Sequence, residues 1–309
     1  MPLPRIAATM AAVVGVMCTK WSVVAALSIA LLLFVAPGAS SSSARSLAAF
    51  SGTGSWVSIY DTQAWKHPDA VVRRLKAHHV HTLFLETAND RQRVDVVRPA
   101  VVGRFIRAAH AARIAVVGWY LPSLATPRRD LRRALAGARF RASSGERFDS
   151  FALDIEATAV RRLGLRSDRA VQLVKAVRRA LPRSMALGAI TIDPVGGRYW
   201  NRYPFERLAP QVDVFLPMEY FTSRTKGAAK VASYSAANVR EIRRRIGLST
   251  FAVHPIGGES RRASLAELSA FFRASAASRV LGMSLWEYGE TSPRQWAALA
   301  GEARVAAEE

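Results

Sequence analysis

Two carboxylates placed two residues apart are the first sign of chemistry in this chain. The run Asp149-Ser150-Phe151-Ala152-Leu153-Asp154-Ile155-Glu156 leads from apolar residues into a pair of acids. Side chains of an extended strand alternate sides, so Ala152, Asp154 and Glu156 share one face. An acid beside another can hold its proton and raise the pKa of the outer one, as a general acid requires. Other short apolar runs finish the same way, on Tyr60 and Asp61, Glu86, Trp119 and Tyr120, Asp193, Glu219 and Tyr220, His254, and Trp286 and Glu287. Acids beside tryptophan and tyrosine suit glycoside cleavage. That reaction needs a proton donor, a group that stabilises an oxocarbenium-like centre, and flat faces for sugar rings.

On this reading Glu156 is the general acid/base and Asp154 assists it. Asp61, Asp193 and Glu219 are candidates for the second carboxylate. Trp286, Tyr220, Trp119 and Tyr60 make the sugar platform, with Tyr120, Glu86 and His254 as further substrate contacts. Strand alternation sets Glu219 opposite to Met218 and Tyr220, and it makes Glu287, beside Trp286, structural. No lysine closes any of these runs, which removes Schiff-base chemistry, and His254 is the only histidine among these run ends, too few for a His-rich metal hydrolase. A barrel phosphodiesterase would need clustered His and acid ligands. The sequence calls for no cofactor and no metal.

The elements that must position these residues follow a repeating order. Short β-branched or aromatic runs alternate with longer amphipathic stretches. The expected strands are Trp56–Tyr60, Thr82–Glu86, Ile114–Tyr120, Phe151–Glu156, Ala186–Ile192, Val212–Tyr220, Thr250–His254 and Leu281–Tyr288. Among the expected helices, Asp168–Leu181 has Ser167 as N-cap and Leu265–Ala276 has Ser264, while Val96–Ala112 and Ala236–Ile246 show similar periodicity. Strands that alternate with helices need right-handed parallel crossovers, and eight such units predict a closed (β/α)8 TIM barrel of the α/β class. An open doubly wound sheet would carry a glycine-rich turn after its first strand, and Tyr60-Asp61-Thr62-Gln63 is not one. In a barrel the polar strand ends converge on one rim.

Three of these strands resemble those of family 18 glycoside hydrolases, the chitinase-like barrels. The matching segments are Asp149…Asp154-Ile155-Glu156, Pro217-Met218-Glu219-Tyr220 and Gly282-Met283-Ser284-Leu285-Trp286-Glu287. The resemblance implies that Glu156 is the acid, Asp154 its partner, Tyr220 a substrate contact and Trp286 the floor of the sugar site. The chain departs from that family at Ala152, where a further acid is usual, at Phe221, and at Gly118-Trp119-Tyr120. A looser resemblance to family 25 muramidases rests on Leu153-Asp154-Ile155-Glu156, Trp286-Glu287-Tyr288 and Tyr60-Asp61-Thr62-Gln63. A carbohydrate- or wall-binding barrel without catalysis is the alternative, and Ala152 favours it.

Residues 1–44 differ from the rest. Arg5 and Lys20 are the only charges before Arg45, two apolar runs surround Lys20, and Pro37-Gly38-Ala39 leads into a serine run. This order predicts a secretory signal, with an uncleaved membrane anchor as the alternative. Residues 45–54 then read as a linker and 55–309 as a single barrel domain, secreted or held on the extracellular side. Cys18, the only cysteine, lies in the leading segment, so the barrel has no disulfide framework. The 309 residues carry 44 Lys and Arg against 23 Asp and Glu, a net charge of +21. An exported basic surface fits a polysaccharide substrate and an anionic cell-wall polymer or membrane surface. Arginine-rich codon usage explains the same count. Nucleic acid is not expected, because no stripe of interleaved aromatics accompanies the charge.

Overall fold

The computed structural model describes residues 46–258 and 262–308. The predicted secretory or anchor segment lies outside the described residues. Eight parallel strands close into a barrel in chain order, β1 through β8. They are β1 Gly52–Val57, β2 Thr82–Asn89, β3 Ala115–Leu121, β4 Ser150–Ile155, β5 Leu187–Ile192, β6 Val214–Glu219, β7 Ile256–Gly258 and β8 Gly282–Trp286. Around them run α1 Thr62–Lys66, α2 Pro68–Ala77, α3 Pro99–Ala111, α4 Pro127–Ala138, α5 Leu163–Ala180, α6 Phe205–Leu208, α7 Ala228–Ile246, α8 Leu265–Ala277 and α9 Pro293–Glu308. Proline stands at the first turn of α2, α3 and α4, where its missing N–H has no helical partner to lose. Among the described residues no helix is long and apolar enough to cross a membrane.

Several boundaries differ from expectation, each for a local reason. β1 begins at Gly52, inside the stretch read as a linker, and ends at Val57. The chain leaves the sheet there because Ser58 turns its oxygens to the Trp65 indole and the Tyr60 N–H. β7 occupies Ile256–Gly258, later than expected, with a single bridge from Val253 to Phe215 before it. Pro255 separates the two pairings, since it has no N–H to give the ladder. α5 starts at Leu163, so Ser167 lies inside the helix, where its hydroxyl accepts from the Trp200 indole instead of capping. Ser264 does cap α8, and Glu267 completes a capping box.

The barrel interior is aromatic and layered. At the end where the strands begin, a short 3-10 turn, Ala48–Phe50, plugs the opening with the fully buried Phe50. Gly188 makes this possible, because a Cβ there would meet the Phe50 ring at 2.9 Å. Above it Trp56 stacks on Phe84 at 4.2 Å and donates its indole N–H to Ser284 Oγ at 2.8 Å. Trp56 in turn meets Trp119 edge-on at 5.7 Å and Trp286 at 6.0 Å. The floor of the opposite rim therefore rests on a packed column, not on a loop.

One irregularity shapes the rim. Along β2 and β3, Glu86 pairs with Trp119 but Ala88 pairs with Tyr120, so Thr87 is an extra residue in β2. Its hydroxyl donates to the Trp119 carbonyl at 2.9 Å, and Gly137 of α4 leaves room for it. The bulge shifts the alternation by one. Glu86 and Asn89 both reach the barrel's mouth, although three residues apart.

Candidate active site

A cleft of about 750 Å³ opens at the C-terminal ends of the strands, within the range of ligand sites. Glu86, Trp119, Asp154, Glu156 and Trp286 line it, arriving from β2, β3, β4 and β8. Tyr60 and Asn89 form one wall, and Tyr199 lies across from them in the loop after β5. Trp119 and Trp286 meet edge-on at 6.0 Å, and Tyr220 packs against Trp286 at 6.3 Å. The Trp119 and Trp286 faces make an aromatic floor of the kind that sugar rings stack on, while Tyr220, expected in the platform, does not itself line the cleft.

The acids are held in an unusual state by burial. Asp154 is 6% exposed, and its Oδ1 has no partner among the described residues. Burial first, then Glu156 and Glu86, push its pKa well above the usual carboxylate range. Burial also raises Glu156, while a hydrogen bond donated by the Tyr199 hydroxyl works against it. The two groups titrate as a pair, which shares its protons instead of losing both near pH 4. Glu86 is the third acid of the cleft. Its oxygens accept from the Ile59 N–H at 2.8 Å and from Asn89 Nδ2 at 3.1 Å, yet burial still pushes it up to about 7. Asn89 uses its other Nδ2 hydrogen on the Tyr60 hydroxyl at 2.9 Å. The Trp119 indole N–H is buried at the same place without a partner. Buried polar atoms are normally satisfied, and Asp154 Oδ1 and Trp119 Nε1 are two exceptions on residues that line the cleft.

Tyr199 owes its place to Arg166 of α5. That guanidinium donates to the Val160 carbonyl at 2.7 Å and lies over the Trp200 ring at 4.8 Å, with weaker bonds to the Thr158 and Tyr199 carbonyls. Tyr203 adds a bond from its hydroxyl to the Ile155 carbonyl at 3.0 Å, just before Glu156. The loops after β4 and β5 are thus pinned around the general-acid candidate.

Five expected site residues stand elsewhere. Tyr120 is fully buried on the outer side of β3, where its hydroxyl donates to Asp130 of α4 at 2.9 Å. It neighbours Trp119 in sequence, and alternation sends the two to opposite faces. His254 lies at the closed end, donating from Nδ1 to the Phe50 carbonyl at 2.7 Å, and burial lowers its pKa to about 4. Glu219 points outward, fully buried between β6 and Ser235 of α7, and burial holds it well above the carboxylate range. Asp193 accepts from the Gly196 N–H and pairs with Arg224 at 3.3 Å. Asp61 caps α1, accepting from the Ala64 N–H at 2.9 Å. None of these five lines the cleft. Among the described residues, no group of three or more His, Cys, Asp or Glu is spaced to hold a metal ion.

Sequence reasoning missed Asn89 and Tyr199. Asn89 reaches the mouth only through the bulge, and Tyr199 sits in an irregular segment with no period to read.

No protein family matches the chain by sequence, and no curated protein does. Solved structures do resemble it in fold. An endo-1,4-beta-mannanase from Rhizomucor miehei aligns with a TM-score of 0.66 at 8% identity, covering 84% of this chain and 96% of that one. A chitinase from Bacteroides thetaiotaomicron gives 0.63 at 9% identity, covering 84% and 98%. A family 18 N-acetylglucosaminidase from Paenibacillus barengoltzii gives 0.57 at 12% identity, covering 82% and 99%. At these identities the likeness is one of fold, the closed (β/α)8 barrel.

Proposed function

We propose that this protein cleaves a glycosidic bond in an extracellular or cell-wall polysaccharide, with Glu156 as general acid/base and Asp154 as its partner. The observation that carries the reading is that two neighbouring carboxylates, one buried and one half-buried and both raised in pKa by burial, line one cleft with two tryptophan faces. Glu156 donates its proton to the glycosidic oxygen as the bond breaks, and then takes one from the incoming water. Asp154 and the Tyr199 hydroxyl stabilise the two charge states in turn. Of the acids considered for the second role, Asp61, Asp193 and Glu219 do not line the cleft, whereas Glu86 does. Glu86 is therefore the group we assign to stabilising the oxocarbenium-like centre. The mannanase and chitinase likenesses support a polysaccharide substrate.

Hydrolysis of chitin-type, mannan-type and wall oligosaccharides by the wild type and by Glu156→Gln tests the reading. The wild type should turn over at least one of them, and the variant should bind it but react at least about a hundredfold more slowly. A second reading, a binding barrel without turnover, is favoured by the fully buried Ala152 on the acid-bearing face of β4. Binding without any turnover that depends on Glu156 would establish it.

A further inference from the structure

One cation lines the cleft. Arg91 sits in the loop after β2, exposed, and its guanidinium has no hydrogen-bond or ion-pair partner among the described residues. The loop that carries it is firmly held. The Arg91 N–H donates to Asn89 Oδ1 at 3.0 Å. Arg133 of α4, itself 3% exposed, donates to the Asn89 carbonyl at 2.9 Å, to the Asp90 carbonyl at 3.2 Å and to the Gln92 carbonyl. A buried arginine thus fixes the backbone that presents an unengaged one, and such preorganisation lowers the entropy lost on binding. The small residues Ala157, Thr158 and Ala159 of the loop after β4 line the same cleft.

We propose that the cleft takes an acidic polysaccharide, with Arg91 gripping a carboxylate of the sugar chain between the loops after β2 and β4. The inference rests on the reading of this cleft as a glycan site. A guanidinium matches a carboxylate in two parallel hydrogen bonds, a fit that a neutral hydroxyl does not offer. The approach favours the same charge. Arg161, Arg162 and Arg198 stand exposed on the loops after β4 and β5, with no ion-pair partner among the described residues, and the chain carries +21 overall. Ionised, Glu86, Asp154 and Glu156 would repel such a substrate; burial, which disfavours the charge on each, lessens that opposition. Asp90 lines the cleft beside Arg91 and works against the anion, which gives the proposal a second handle.

Calorimetric binding to three oligosaccharides of equal length tests it: a neutral chito-oligosaccharide, an oligouronate, and an alternating oligomer bearing lactyl carboxylates. The wild type should prefer at least one carboxylated oligomer to the neutral one. Arg91→Ala should remove that preference through a roughly ten- to hundredfold loss on the carboxylated ligand. Arg91→Lys should fall between, Asp90→Asn should sharpen the preference, and added salt should shrink it. Equal wild-type affinity for neutral and carboxylated oligomers, or a preference that survives Arg91→Ala, overturns the proposal. Turnover measured on the same samples separates the two readings. Glu156-dependent cleavage of the neutral oligomer without preference defeats this inference alone. Preference without cleavage defeats the glycosidase reading alone.

Discussion

Replacing Glu86 by glutamine changes one charge in the most enclosed part of the cleft, and its effect on stability can be worked out in advance. The carboxylate has an ordinary pKa of 4.5 and is pushed up to about 7, chiefly by burial. A group whose folded pKa is raised contributes stability that is fully present below 4.5 and is lost as pH rises through about 7. At about 1.36 kcal/mol per pH unit, that interval amounts to about 3 kcal/mol lost by pH 8. Glutamine keeps the shape but carries no charge, so this loss should vanish. It also turns an amide N–H toward Asn89 Nδ2, a mismatch of about 1 kcal/mol at every pH. The variant should therefore be about 1 kcal/mol less stable than wild type at pH 4.5 and about 2 kcal/mol more stable at pH 8. Urea unfolding of both proteins from pH 4.5 to 8.5 reads the crossover. Parallel pH profiles would refute the reasoning and mean that Glu86 ionises in place without penalty. On the proposed mechanism the same variant should also lose turnover, so stability at pH 8 rises as activity falls.

Two further substitutions address the floor and the wall. Trp286→Ala should weaken oligosaccharide binding by about 2 kcal/mol, as for an aromatic at a binding hot spot, and unchanged affinity by titration would move the platform elsewhere. Arg133→Ala removes a buried cation that holds three carbonyls of the β2 loop and approaches Asp95 at 3.5 Å. It should lower stability by about 3 kcal/mol and weaken the binding of carboxylated oligomers, although Arg133 does not line the cleft. Thermal unfolding with parallel calorimetry checks both effects, and a stability loss with intact carboxylate preference would show that the loop holds itself.

Much of the architecture was legible because barrel strands repeat a short pattern. Asp154 and Trp286 could be placed on the rim from alternation alone, and the same rule correctly turned Glu219 away from it. Applied consistently, alternation also separates Tyr120 from Trp119, so the sequence already held the evidence against that contact. His254 was beyond it, since the short β7 begins only after Pro255 and leaves the histidine at the closed end. Strand ends read as rim positions only where the strand boundaries are right, and proline inside a run moves them. Asn89, Tyr199 and Arg91 depend on a bulge and on loops, where tertiary contacts such as those of Arg166 and Arg133 set the geometry. No local period records such contacts.

The extra residue in β2 makes the wall of the cleft a matter of phase. Were Thr87 paired in register instead of bulged out, none of the residues that line the site would change, yet strict alternation would run past Glu86. Ala88 would then turn inward and Asn89 outward, taking with it the amide that links Glu86, Tyr60 and the Arg91 backbone. A wall of hydrogen-bonding groups would become a methyl surface without a single substitution. Diversification of this cleft thus has a route that comparisons of aligned residues overlook: a change of strand phase at the bulge, which recuts the specificity of the wall while the acids on β4 stay in register.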